Sequence, residues 1–109
     1  MAERLIVMPL HFNSSIWNNA KRTPGGEIAW RASDIYNVLR DVLLSNKVVL
    51  GGDILNNDMS YTLDNWCYFP KENTLDGENS LLSYEYAIGY IDTYTAIYGD
   101  YYYVVLVIQ

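Results

Sequence analysis

The chain has 109 residues, half of them hydrophobic and 18% charged, with one cysteine and a net charge of −6. That length suits a single domain spanning residues 1–109 with a core that needs no metal or disulfide staple, and the composition excludes a disordered chain. One cysteine excludes an internal disulfide, and the acidic total argues against nucleic acid or an anionic membrane as partner. The charge is also lopsided: from Val48 onward nine acids face one base, Lys71, whereas before it six bases outnumber four acids.

In chain order, residues 5–8 (Leu-Ile-Val-Met) read as a short strand stopped by Pro9, which lacks a ladder donor. Residues 13–26, with Asn18, Asn19, Pro24, Gly25 and Gly26, read as a loop around a helical turn near Ile16 and Trp17. Ile35, Val38, Leu39, Val42 and Leu43 recur at helical spacing, so an amphipathic helix is expected from about residue 34 to 45, with Ser33 as its N-cap.

Val48, Val49 and Leu50 open a strand that kinks or bulges at Gly51–Gly52 and continues through Ile54 and Leu55. Asn56, Asn57 and Asp58 form the turn, and residues 61–69, closed by Pro70, form an antiparallel partner. A polar loop over 71–79 follows. A second helix is expected from a Ser80 cap to a Gly99 C-cap, with Leu81, Tyr84, Ala87, Ile88, Ile91, Tyr94 or Thr95, and Tyr98 on its buried face; Gly89 inside it would admit a close neighbour. Residues 101–108 are apolar without alternation, the pattern of a strand at the centre of a sheet. The expected class is α+β, two main helices on a small mixed or antiparallel sheet of about three to four strands.

Catalytic patterns are thin. His11 is far in sequence from Cys67, and a lone cysteine in an aromatic strand is read as a small buried hydrophobe rather than a nucleophile. Asp53, Asn56, Asn57 and Asp58 lack calcium-loop spacing, and Gly51–Gly52 lacks the pattern of a phosphate loop, so no metal or cofactor is expected. The apolar run at the N-terminus is too short for a signal peptide and the run at 101–108 is far below the roughly 20 residues of a membrane span, which points to a cytoplasmic protein.

The string Gly51–Gly52–Asp53 after a β run, followed by Tyr61 and Asp64–Asn65–Trp66 before Pro70, resembles bacterial immunity proteins of polymorphic toxin and contact-dependent growth inhibition systems. The resemblance implies a small non-enzymatic inhibitor that binds a cognate toxin domain, often a nuclease, and masks its active site or substrate-binding surface. An acidic protein can occupy a basic nuclease groove as a phosphate mimic. On charge and expected loop position, the partner-binding candidates are Asp53, Asp58, Asp64, Asn65, Trp66, Glu72, Asp76 and Glu78, with Trp66 or a neighbouring tyrosine as anchor.

Two other readings stay open. Eleven tyrosines, three tryptophans and the acids would suit a small carbohydrate- or ligand-binding domain, or an enzyme using a carboxylate pair. Alternatively, residues 101–108 form a free edge that pairs with a second copy, giving a homodimer instead of a monomer.

Overall fold

A computed structural model of the chain describes residues 18–109. The strand expected at 5–8, the turn near Ile16 and Trp17, and His11 lie outside them. The described elements are β1 (Lys21–Arg22), β2 (Ile28–Arg31), α1 (Ala32–Leu44), β3 (Val49–Leu55), β4 (Tyr61–Cys67), α2 (Glu78–Tyr98) and β5 (Tyr103–Ile108). Five strands in the order β1-β2-β5-β3-β4 make an antiparallel sheet, so the class is α+β with more strands than the expected three or four.

Of the strands not expected, β1 comes from the stretch read as a loop and β2 from residues 28–31, to which no element was assigned. Thr23 accepts the Gly26 N–H (2.8 Å) through its carbonyl and the Glu27 N–H (3.0 Å) through its hydroxyl, a tight turn that folds Lys21–Arg22 back onto Ile28–Ala29. Two residues carry too little pattern to announce a strand.

Helix α1 buries Ile35, Val38, Leu39 and Val42, as its period requires. Ser33 is not its cap. Arg31 occupies that position in an extended conformation without a side-chain bond, because β2 runs directly into the helix and the Ala32 N–H donates to the Tyr102 carbonyl at 2.9 Å. A neighbouring strand thus takes up a donor that a serine would otherwise satisfy. The helix closes with Asn46 at positive φ, its N–H donating to Leu43 and that of Lys47 to Val42, the paired bonds of a Schellman ending.

Helix α2 begins at Glu78, with Gly77 at the cap position in the left-handed region, three residues before the expected Ser80 cap. Ser80 is buried instead of capping, and its hydroxyl donates to the Lys47 carbonyl at 2.7 Å. Ser83 is fully buried, and its hydroxyl accepts the Val49 N–H at 3.0 Å. These two serines tie α2 to the start of β3, and they rotate its inward face onto Ser80, Ser83, Ala87 and Ile91, leaving Leu81 and Tyr98 exposed. Gly89 has open space around its missing side chain, so no neighbour approaches there. Gly99 ends the helix at positive φ as expected, its N–H donating to Thr95 at 2.8 Å.

Both helices pack on one face of the sheet, over a core that includes Trp30, Ile35, Leu39, Ile54, Trp66, Ile91, Val104 and Leu106. A second buried cluster, Ala29, Leu55, Tyr103 and Val105, lies on the opposite face by strand alternation. Strand β5 sits between β2 and β3, which accounts for its unbroken apolar run. With a partner on each side it offers no free edge, and the expected strand addition at 101–108 is overturned. The long edge is β4.

This order also separates some of the charges of the strands. Lys21, Arg22 and Arg31 lie on β1 and β2 at one side of the sheet; Asp53 and Asp64 lie on β3 and β4 at the other.

Candidate functional site

Strand β4 and the face of α2 beside it form a surface unlike the rest of the protein. Trp66, Asp64 and Tyr68 point from the strand toward the helix, and Tyr86, Tyr90, Tyr94 and Tyr98 recur every four residues along α2 to meet them. Ring centroids are 4.9 Å apart for Trp66–Tyr90, 6.0 Å for Tyr90–Tyr94, 4.6 Å for Tyr94–Tyr98 and 6.4 Å for Tyr68–Tyr86. Tyr102, just before β5, closes the row with an edge-to-face contact on Tyr94 at 5.0 Å. Such pairs add stability beyond the area they bury.

The glycine pair is the seat of this row. A Cβ at Gly52 would stand 2.6 Å from Cζ3 of Trp66, and one at Gly51 would run into the Trp66 carbonyl. Gly52 must therefore be bare for the indole to lie on β3, and Gly51 for the Trp66 backbone to come close beside it. The expected irregularity is present as well: the β3–β5 register shifts between Val49 and Gly51.

Asp64 sits at the middle of the row and accepts the Tyr94 hydroxyl at 2.8 Å. Burial, and then this bond, push the Tyr94 hydroxyl well above the ordinary tyrosine value. Tyr90 moves the same way, by burial first and the Asp64 charge second. Between α1 and α2, Tyr36 donates to Asp92 at 2.6 Å and is pushed up to about 12, again by burial first. These tyrosines stay protonated well into the alkaline range, and Tyr94 and Tyr36 donate their hydroxyls to Asp64 and Asp92.

The predicted partner-binding residues fall in four places. Asp53, Asn65 and Trp66 line one shallow depression of about 280 Å³, floored by Gly51 and Gly52 with Cys67 at its rim. Trp66 is only 4% exposed and so does not protrude. Asp58 lies in the β3–β4 turn, where its carboxylate accepts the Ser60 hydroxyl (2.6 Å) and N–H (2.9 Å), bonds that hold it below its usual value, side-chain bond first. Glu72, Asp76 and Glu78 lie exposed in and after the β4–α2 loop, at the opposite end of β4; Glu78 accepts the Leu75 N–H at 3.1 Å. Asp64 belongs to the aromatic row.

Cys67 is exposed, correcting its reading as a buried hydrophobe, because β4 is an edge whose outer side and far face meet solvent. Sequence reading also missed the tyrosine row. Its signal was the four-residue spacing of Tyr86, Tyr90, Tyr94 and Tyr98, hidden because tyrosine serves cores and surfaces alike. Among the described residues no group of three histidine, cysteine or acidic side chains could hold a metal ion, and no helix is long and apolar enough to cross a membrane.

A family model described as Immunity protein 40 matches residues 19–108, nearly the whole chain and all seven described elements. The chain belongs to the Immunity protein 40 family. No curated protein and no solved structure matches it. Membership makes it a bacterial immunity protein of a toxin system, the group that its Gly-Gly-Asp and Asp-Asn-Trp strings resemble, and carries binding of a cognate toxin as its class of function. Within this Immunity protein 40 fold those strings are one packing unit, since Trp66 rests on Gly52 in register across the β3–β4 ladder.

Proposed function

We propose that this Immunity protein 40 member acts without catalysis in the cytoplasm, neutralising a basic toxin domain, a nuclease, by laying its acidic side over the surface that the toxin uses for nucleic acid. The observation that carries this is the sign of the charges: every charged residue on β3, the β3–β4 turn, β4 and α2 is an acid, namely Asp53, Asp58, Asp64, Glu78, Glu85 and Asp92. Glu72 and Asp76 extend the run through the loop, against the single Lys71. Potentials of one sign over one side speed encounter with a basic partner and fix its orientation. The exposed tyrosines Tyr86 and Tyr98 supply rigid, amphipathic contact area next to those charges.

A carboxylate pair working as acid and base gains no support. Acid catalysis needs a carboxyl raised above its usual value, whereas Asp58 is lowered, and Asp64 and Asp92 act as acceptors for tyrosine hydroxyls.

The test uses the cognate toxin domain, whose gene is expected directly upstream of an immunity gene. Co-expression should restore growth to cells producing that domain, and the purified protein should block its cleavage of nucleic acid in a stoichiometric, salt-sensitive manner. Unimpaired cleavage with the protein in excess would refute the reading.

A further inference from the structure

We propose that the outer edge of β4 takes up an extended, basic segment of the toxin domain as a sixth strand of the sheet. This inference rests on the toxin-binding reading above and specifies how the contact is made.

Among the described residues, strand β4 is seven residues long and lies at the end of the sheet order, while the other edge, β1, is two residues long and carries Lys21 and Arg22. An edge strand presents unpaired backbone donors and acceptors that template a further strand. Their direction follows from the ladder. The Tyr68 N–H donates inward to Leu50 at 2.8 Å, and Trp66 pairs with Gly52, so the alternating backbone groups of Asn65 and Cys67 point outward. Both residues are exposed. The Leu63 carbonyl accepts the Asn65 side-chain amide at 3.2 Å, so the strand's own side chain takes a position that an incoming N–H would occupy.

Sequence makes this edge unusual. Leu63 is 96% exposed and Phe69, just past the strand, is 81% exposed. Two large apolar side chains standing in water beside unpaired backbone are an aggregation hazard unless a partner covers them. Between Val48 and Pro70 the only charged residues are Asp53, Asp58 and Asp64. A second copy paired edge to edge would set these acids against their own kind with no base to offset them, and like charges across a strand pair repel. A segment alternating basic and apolar residues meets both demands: its basic side chains reach Asp64 on the helix side, and its apolar ones cover Leu63 and Phe69.

Amide hydrogen exchange read by NMR on the full chain, alone and with the cognate toxin domain, tests this. The Asn65 and Cys67 amides should exchange freely in the lone protein and slow by about tenfold or more in the complex, with Trp66 and Tyr68 protected in both. Asn65→Pro removes an outward N–H that β3 does not use. If its circular dichroism matches the parent, it should weaken binding about tenfold or more. A complex that forms with Asn65 and Cys67 still exchanging freely, or a folded Asn65→Pro that binds as tightly as the parent, overturns strand addition and leaves neutralisation standing. No complex with that domain removes both. Protection that grows with protein concentration in the absence of toxin identifies a second copy as the occupant and overturns the proposal.

Discussion

The indole of Trp66 occupies the space where a side chain at Gly52 would begin: a Cβ there would stand 2.6 Å from Cζ3. Real Cβ atoms do not approach so closely, and the ring cannot retreat, since Tyr90 packs on it at 4.9 Å.

Gly52→Ala should therefore destabilise the protein by about 1–3 kcal/mol, the range for overpacking a filled site. Gly89→Ala, on an open stretch of α2, should be neutral or stabilise by up to about 1 kcal/mol. Urea denaturation of the two variants compares them directly. Equal midpoints would mean that the tryptophan does not rest on the glycine.

Ser83 and Ser33 make a second contrast. Ser83→Ala leaves the buried Val49 N–H without its acceptor, a loss of about 1–3 kcal/mol. Ser33→Ala removes no cap and should stay within about 0.5 kcal/mol of the parent. Thermal or chemical melts check both, and a Ser33→Ala loss as large as a true N-cap's would contradict the Arg31 junction.

Alkaline pH should destabilise the fold. Tyr36 ionises near its ordinary value of 10 when unfolded but only at about 12 when folded. Its contribution is thus whole below pH 10 and is lost as pH rises from 10 through about 12, with Tyr94 adding a loss of the same sign. Melting temperature should fall across that window. Asp92→Asn removes the acceptor charge and should shrink the fall without abolishing it, because burial is the larger cause.

Charge reversal should matter on one side only. Asp58, Asp64, Glu72 and Asp76 changed together to lysine should weaken toxin binding at least about tenfold and flatten its salt dependence. Lys21→Glu with Arg40→Glu, away from that side, should leave affinity within about twofold. Calorimetry at two salt concentrations measures both, and equal losses would place the contact elsewhere.

Much of the fold was legible because its signals are local. The stripe from Ile35 to Val42 needs only a helical period, and the apolar run of β5 needs only burial on both faces. The turn at Asn56 and the glycine ending at residue 99 follow from which residues tolerate those conformations. β1 was illegible because a two-residue strand exists only by pairing, and the four residues of β2, running straight into α1, are too few to show a period. The inward face of α2 was misread because its buried serines look polar until the Lys47 carbonyl and the Val49 N–H are placed beside them. In the candidate surface, the acids could be counted along the chain, but the tyrosine row emerged only once β4 lay beside α2.

By itself, then, the sequence determined an acidic second half, a helix at α1, a β hairpin around Asn56 and a strand at β5, all consequences of short-range pattern and charge. Tertiary structure decided that β4 is the long edge among the described residues, that Gly52 is a seat for Trp66 and that Lys21, Arg22 and Arg31 lie at the other side of the sheet from Asp53 and Asp64. Those are relations between residues distant in sequence, and strand order, settled by the burial of β5 between β2 and β3, is what brings them into contact.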